Sequence, residues 1–150
     1  MLKRFIFIYI VLSSSSVFAA DEAPFLWPVY LSSECAGDIV GERMAYKLRE
    51  GVRKSAGMKL SDTYDESVIQ FSLICLEPDA SEKSIVSRYS YAITLLNSKS
   101  YYDFQLTHGV GTCGTQRVDE CSENLVAGID KAIGKLISRI KDGSFKLSDP

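Results

Sequence analysis

The amino-acid sequence predicts a two-layer α/β sandwich, in which a mixed sheet of about four to five strands carries two helices on one face. Several segments alternate apolar and polar residues, as half-buried strands do. Two other segments repeat apolar residues every three or four positions, and each has a single apolar stripe. Two helices with one stripe each can cover only one side of such a sheet, so the other side is expected to be open.

The first strand and the first helix are predicted from consecutive segments. Phe25 to Ser33 alternates in the manner of a strand, which Pro28 makes irregular near its start. Ala36-Gly37-Asp38 then offers a turn and an N-cap, and the helix is expected to continue through Ala56 and to end at Gly57. Its apolar stripe consists of Val40, Met44, Ala45, Leu48 and Val52. The opposite, charged face is expected to be solvated and to contain local ion pairs.

The middle of the chain predicts a short strand, a polar loop and a longer strand. These segments are Met58 to Leu60, Ser61 to Ser67, and Val68 to Leu76. The turn Glu77-Pro78-Asp79 is expected to close the longer strand. Its buried side is predicted to carry Ile69, Phe71, Leu73 and Cys75.

A hairpin is predicted next, from Ser84 to Leu96 and from Tyr101 to Val110, joined at Asn97 to Ser100. The residues predicted to share its buried side are Ile85, Tyr89, Tyr91, Ile93, Leu95, Tyr102, Phe104, Leu106 and Val110. The open side of the whole sheet is expected to carry Gln70, Ser72, Arg88, Ser90, Thr94, Asp103, Gln105 and Thr107. Such a mixture suits water or a polar partner surface.

A second helix is predicted from about Arg117 to Ile140. Its apolar stripe is Leu125, Ile129, Ala132, Ile133, Leu136 and Ile140. Gly128 and Gly134 interrupt it and are expected to mark close contact between helix and sheet. Residues 141–150 form a polar tail with no assigned structure.

The beginning of the chain predicts export. Lys3 and Arg4 precede the apolar run Phe5 to Leu12, and small residues lead to a cleavage site near Ala19 or Ala20. We therefore expect a signal peptide over residues 1–19 and a single domain over residues 20–150, located in the periplasm or secreted. The first cysteine, Cys35, lies too far downstream to receive a lipid anchor at the cleavage site.

Charge argues against a nucleic-acid-binding protein, and the lack of a long apolar run argues against a membrane-spanning one. Seventeen basic and nineteen acidic residues give a net charge of −2, so the sequence shows no electrostatic footprint for nucleic acid. After the leader, no apolar run approaches the roughly 20 residues that a transmembrane helix needs. We expect a soluble mature chain with no transmembrane segment.

The order of elements resembles the amino-terminal domain of the periplasmic translocation protein TolB and related small domains of envelope assembly proteins. The matching stretches are Lys47 to Leu60, where the helix end Arg53-Lys54-Ser55-Ala56-Gly57 runs into Met58-Lys59-Leu60, and the hairpin of Ser84 to Val110. The resemblance covers most of the chain after the leader. It implies a non-catalytic domain that docks other envelope proteins.

The four cysteines are predicted to form structural disulfides, because an exported chain meets an oxidising compartment. Cys113 and Cys121 flank a glycine-containing connection to the second helix, which predicts that they pair. Cys35 and Cys75 are paired by elimination, since both lie near the ends of strands that are expected to be parallel neighbours.

The alternative is a metal or redox site. His108, the single histidine, precedes Cys113 by five residues, so His108, Cys113 and Cys121 are the candidate ligands of a soft site for copper or zinc. Neither a C-x-x-C motif nor a common zinc spacing is present. The segment Gly109 to Gly114 is predicted to be a disulfide-closed turn, with an anion cradle as the alternative.

Other candidate residues receive structural interpretations. The carboxylates Asp62, Asp65, Glu66, Asp119, Glu120 and Glu123 are expected in caps and solvated turns. The hairpin tyrosines Tyr89, Tyr91, Tyr101 and Tyr102 are expected to pair across strands, with a contact surface around Tyr101 as the alternative.

The leading hypothesis is a small, disulfide-bonded, non-catalytic envelope protein without a cofactor, which binds another envelope protein through its open sheet face or a strand edge. The alternatives are a small enzyme or metal-binding protein centred on His108 and Gly109 to Gly114, and a secreted factor directed at a host.

Overall fold

The computed structural model describes residues 25–76, 85–96 and 103–145. The expected leader over residues 1–19 lies outside these ranges. So do the predicted turn at residues 77–79, the hairpin connection at 97–100, Tyr101, Tyr102 and the end of the polar tail.

The described residues form five strands and two helices in the predicted order, and the predicted fold class is confirmed. The strands are β1 (Trp27–Glu34), β2 (Met58–Ser61), β3 (Ile69–Leu76), β4 (Val86–Leu95) and β5 (Phe104–Gly114). The helices are α1 (Ile39–Lys54), between β1 and β2, and α2 (Val118–Lys141), after β5. A single 3₁₀ turn, Thr115–Arg117, leads from β5 into α2.

The sheet is mixed, with the strand order β2-β1-β3-β4-β5. β1 is parallel to both of its neighbours, whereas β3, β4 and β5 are antiparallel. α1 supplies the crossover that a parallel β1-β2 pair requires. β5 forms one edge of the sheet and β2 the other.

α1 begins where the sequence predicts. Oδ1 of Asp38 accepts a hydrogen bond of 2.9 Å from the backbone N–H of Gly41, which satisfies one of the unpaired donors of the first turn. Gly37 precedes it with φ +83°, a left-handed conformation that favours glycine. The helix ends at Lys54, two residues before the predicted end, because Ser55 is extended.

The core lies between one face of the sheet and both helices. Its largest fully buried side chains include Val29, Phe71, Ile93, Met44, Leu48 and Ile129. Three residues at the ends of predicted apolar stripes are instead exposed, namely Phe25, Ile85 and Ile140. Part of the predicted polar tail packs on the fold, since the ring of Phe145 lies edge-on to Phe104 at 5.7 Å.

The two helices approach closely at a glycine that the sequence did not single out. A Cβ on Gly51 would lie 2.6 Å from Cγ2 of Val126, so no larger residue fits there unless the side chain of Val126 moves. Gly128 and Gly134 were expected at close helix-to-sheet contacts, and that expectation is wrong. A Cβ on either residue would meet nothing within 4 Å.

The register of β5 also departs from the prediction. The pairing with β4 shifts between Ile93 and Thr94, so that Leu106 is the extra residue of a bulge. After the bulge, each residue of β5 therefore faces the side of the sheet opposite to the one that simple alternation predicts. The prediction that Val110 shares a buried face with Phe104 and Leu106 is therefore wrong, since Val110 is 85% exposed. Thr107, predicted on the open face, pairs with Ile93 on the helix side.

Candidate functional site

The helix-free surface of the sheet, which we call the outer face, has a polar centre. One row across the strands contains Tyr30, Gln70, Thr94 and Gln105, and the next contains Ser32, Ser72, Ala92 and His108. The hydroxyl of Ser32 donates to that of Ser72 at 3.1 Å. Six of the residues predicted for the open side lie here, namely Gln70, Ser72, Arg88, Ser90, Thr94 and Gln105.

Next to this polar centre lies an apolar cluster, the outer patch, formed by Ile74, Leu76 and Val110. Ile74 and Val110 both pair with Ser90, so they are two strands, or about 10 Å, apart on the same row. Leu76 lies two residues further along β3 and pairs with Arg88. The three side chains are 44%, 56% and 85% exposed, respectively. Ser90 and Arg88 of β4 lie between Val110 on β5 and the two residues on β3, so the outer patch combines three exposed apolar side chains with polar ones.

Both disulfides are at the end of the sheet where the outer patch lies. Cys35 bonds to Cys75, with Cα atoms 4.7 Å apart, and ties the ends of β1 and β3 together. Cys113 bonds to Cys121, with Cα atoms 6.2 Å apart, and ties the end of β5 to the start of α2. Because Cys75 lies between Ile74 and Leu76, the first bridge restrains the strand end that presents the patch.

The residues of the alternative metal site are not brought together. His108 pairs with Ala92 on the outer face, and its Nδ1 lies 2.6 Å from Nε2 of Gln105. Cys113 pairs with Ser87 on the opposite, helix-facing side, and its sulfur is bonded to Cys121. Within residues 25–76, 85–96 and 103–145, no group of three His, Cys, Asp or Glu side chains is placed to hold a metal ion.

The glycine-rich segment is a strand, so the prediction of a turn over Gly109 to Gly114 is wrong. Two of its glycines face the helix side and lie against tyrosine rings of β4. A Cβ on Gly109 would lie 2.7 Å from Cε1 of Tyr91, and one on Gly111 would lie 2.6 Å from the hydroxyl oxygen of Tyr89. Burial raises the pKa of Tyr89. The glycines therefore make room for aromatic side chains, and they do not form an anion cradle.

The opposite end of the outer face carries a loop contact that the sequence did not predict. Tyr64, in the loop between β2 and β3, packs edge-on against Tyr30 with ring centroids 6.1 Å apart. Its hydroxyl donates to Oδ2 of Asp103 at 2.8 Å, and this hydrogen bond raises the pKa of Tyr64. The loop is thereby joined to the start of β5.

The predicted carboxylate groups have structural roles at the start of α2. Oδ1 of Asp119 pairs with Nζ of Lys47 on α1 at 2.8 Å, and Glu120 makes a two-pronged contact with Arg117. In the loop before β3, Asp62, Asp65 and Glu66 are exposed. The exposed loop carboxylates agree with the expected solvated turn, whereas Asp119 and Glu120 form ion pairs in place of the expected caps.

Neither α1 nor α2 is long and apolar enough to cross a bilayer.

Fold and site together define a small α+β protein with two disulfides and an apolar patch on an open sheet. No protein-family model matches the chain, and no curated protein matches its sequence. Among solved structures, a DUF330 protein from Xanthomonas campestris matches with TM-score 0.43 and 12% identity, over 83% of this chain and 93% of the other. A PelC dodecamer from Paraburkholderia phytofirmans matches with TM-score 0.41 and 10% identity, over 73% and 90% respectively.

The sequence did not predict the outer patch, because the side that each β5 residue faces was inferred from the positions of its apolar residues. The predicted disulfide between Cys113 and the second helix could have corrected this inference. Cys113 must face the helices to reach Cys121, and a residue three positions away in a strand faces the other side. Val110 is that residue, so the disulfide alone places it on the outer face.

Proposed function

We propose that this chain is an exported, periplasmic, non-catalytic protein that binds another protein of the cell envelope through the outer patch. The observation that carries the proposal is the exposure of Ile74, Leu76 and Val110 together on a restrained sheet. An apolar centre with a polar rim is the usual composition of a protein-binding surface. Scattered single apolar residues would need no such explanation.

Three further features support this proposal. The two disulfides favour an oxidising compartment, which agrees with the expected leader. The sheet end under the patch is covalently restrained, so less conformational entropy is lost when a partner binds. The order of elements resembles that of the TolB amino-terminal domain, for which docking of envelope proteins is the implied role.

The test is capture of the partner with variants of the patch. A tagged chain is expressed in its own cells, crosslinked and purified, and the captured proteins are compared between wild type and Val110→Asp. The matched control is Tyr46→Asp, which puts the same charge on an exposed aromatic side chain of α1.

The proposal predicts one envelope protein that is recovered with wild type and Tyr46→Asp and is lost with Val110→Asp. Since both sites are exposed, both variants are expected to fold, and circular dichroism checks this. Equal recovery with all three chains would contradict binding through the outer patch. A protein found only in the culture supernatant would contradict the periplasmic assignment.

A further inference from the structure

Two sets of charged side chains on α2 line two different grooves. Asp119, Glu123 and Asp130 line a groove shared with α1. Lys131, Lys135 and Arg139 line a different groove, between α2 and the edge strand β5. Thus a chain with net charge −2 presents a row of three cations along one side of a single helix.

The groove between α2 and β5, which we call the basic groove, has a volume of about 830 Å³. Tyr91, Leu106, Leu136 and Phe145 provide its apolar surface. None of the described residues that line it is acidic. Its side chains therefore complement an anionic ligand that also has some apolar surface.

Two residues of the edge strand β5, Leu106 and Thr107, line one wall of the basic groove. The strand is eleven residues long, FQLTHGVGTCG, and contains neither proline nor any lysine, arginine, aspartate or glutamate. Natural edge strands commonly carry lysine, proline or an inward charge, which discourage pairing with another chain. The bulge at Leu106 is such a device, and it lies near the start of the strand, at the basic groove itself.

We propose that the basic groove binds an extended acidic segment of a partner protein, which pairs with the edge of β5 and directs alternate carboxylates toward α2. Cations four residues apart on a helix are separated by about 6 Å along its axis. Alternate side chains of a strand are separated by about 6.6 Å. The spacing of acidic residues at every second position of such a segment is therefore close to the spacing of Lys131, Lys135 and Arg139 along α2.

This inference goes beyond the proposed function, because the basic groove lies on the helix side of the sheet and the outer patch on the other. It specifies the ligand by chemistry: an extended backbone with carboxylates in alternation. Main-chain pairing supplies affinity in such complexes, and the side chains supply specificity.

The test measures fluorescence anisotropy of a labelled peptide of about ten residues with glutamate and valine at alternate positions. The purified protein keeps both disulfides. We expect saturable binding that weakens about tenfold or more in the double variant Lys131→Glu/Lys135→Glu, and that weakens with added salt. Lys141→Glu is the matched control, since it makes the same change on α2 outside the groove and is expected to bind as wild type does.

Two control peptides separate strand pairing from simple charge attraction. A peptide with lysine in place of glutamate is expected not to bind. A peptide N-methylated at every residue keeps its charge but has no backbone donor for pairing with β5, and it is expected to bind at least tenfold more weakly. Equal binding of either control peptide, or full binding by the double variant, would overturn the inference.

Two further outcomes are also decisive. If anionic phosphatidylglycerol vesicles bind through Lys131 and Lys135 while the acidic peptide does not, the groove is a lipid site and the inference is wrong. Val110→Asp is expected to leave peptide binding unchanged, because it alters the outer patch. Failure of the peptide experiment therefore leaves the proposed function standing, and failure of the capture experiment leaves this inference standing.

Discussion

At the scale of single residues, the absence of a side chain is as informative as its presence. Gly109 lies against the ring of Tyr91, which stacks on Phe71 with ring centroids 5.8 Å apart and planes 6° from parallel. A strand interior ordinarily disfavours glycine. Here the glycine lets an aromatic ring from the neighbouring strand lie over the backbone of β5.

The first prediction concerns this contact. Gly109→Ala is expected to lower the free energy of unfolding by about 1 to 3 kcal/mol, because the new methyl group overlaps the tyrosine ring. Urea denaturation of the oxidised protein measures the change. Val110→Ala is the control on the neighbouring exposed position, and it is expected to change stability by no more than about 0.5 kcal/mol.

Removal of the tyrosine ring should rescue the variant. In a Tyr91→Leu background, Gly109→Ala is expected to cost less than in wild type, which a double-mutant cycle would show as coupling between the two sites. An equal cost in both backgrounds would contradict the assigned contact.

The second prediction concerns pH and the ion pair between helices. The ammonium of Lys47 holds the pKa of Asp119 below its ordinary value of 3.8, chiefly through their hydrogen bond. Because the folded-state pKa is lowered, the pair stabilises the fold above that ordinary value and loses its effect as the pH falls through the lowered one. Wild type is therefore expected to be slightly more stable than Lys47→Ala at neutral pH.

Chemical denaturation at several pH values checks this expectation. The difference between the two proteins should be small, since both side chains are exposed to water, and it should shrink as the pH falls below the ordinary pKa of Asp119. A difference that grows on acidification would contradict the assigned sign. For comparison, Glu50→Gln removes an ion pair that lies within α1, between Glu50 and Arg53.

At the scale of elements, periodicity predicted the helices and most strands because each has one buried face. α1 and α2 follow their apolar stripes to within two residues at either end. Periodicity does not predict the facing of residues in β5. A bulge changes which side they face, and the pattern of apolar residues gives no sign of that change. The sequence also predicted close helix-to-sheet contacts at Gly128 and Gly134, whereas the close approach is between the two helices, at Gly51.

The third prediction compares the effects of alanine substitution at two helix glycines, Gly134 and Gly51. Gly134→Ala is expected to raise the free energy of unfolding by up to about 1 kcal/mol, because alanine favours a helix and its methyl group meets nothing within 4 Å. Gly51→Ala gains the same propensity but places a Cβ 2.6 Å from Cγ2 of Val126, and it is expected to destabilise. Thermal denaturation of both variants gives the two signs. Equal effects would contradict the described helix packing.

At the scale of the whole molecule, two covalent links act on one end of the sheet. The bridge from Cys35 to Cys75 spans 40 positions, and the bridge from Cys113 to Cys121 spans 8. In the loop-entropy model, the longer loop restricts the unfolded chain more. The end of the sheet that carries the outer patch is thus restrained by both bridges.

The fourth prediction compares removal of each bridge. Replacing Cys35 and Cys75 by alanine is expected to cost about 1.4 kcal/mol more than replacing Cys113 and Cys121, from the ratio of loop lengths. Urea denaturation of the two double variants measures the difference. A larger loss for the Cys113/Cys121 variant would show that loop entropy does not govern the stability of this fold.

The candidate site was predictable in part. The polar residues of the open face follow from strand alternation, and six of the eight predicted positions lie there. The exposed apolar residues do not follow, because hydrophobicity suggests burial and only the geometry of neighbouring strands shows otherwise. The basic groove arises from residues far apart in sequence, such as Tyr91, Leu106 and Lys135, which only the tertiary fold brings together.

The most direct test of binding through the outer patch is site-specific photocrosslinking in living cells. A photoreactive phenylalanine analogue at position 110 is compared with the same analogue at position 46, on α1. The account predicts one discrete crosslinked species of envelope protein from position 110 and none from position 46. The same species from both positions, or crosslinking from position 46 alone, would contradict binding through the outer patch.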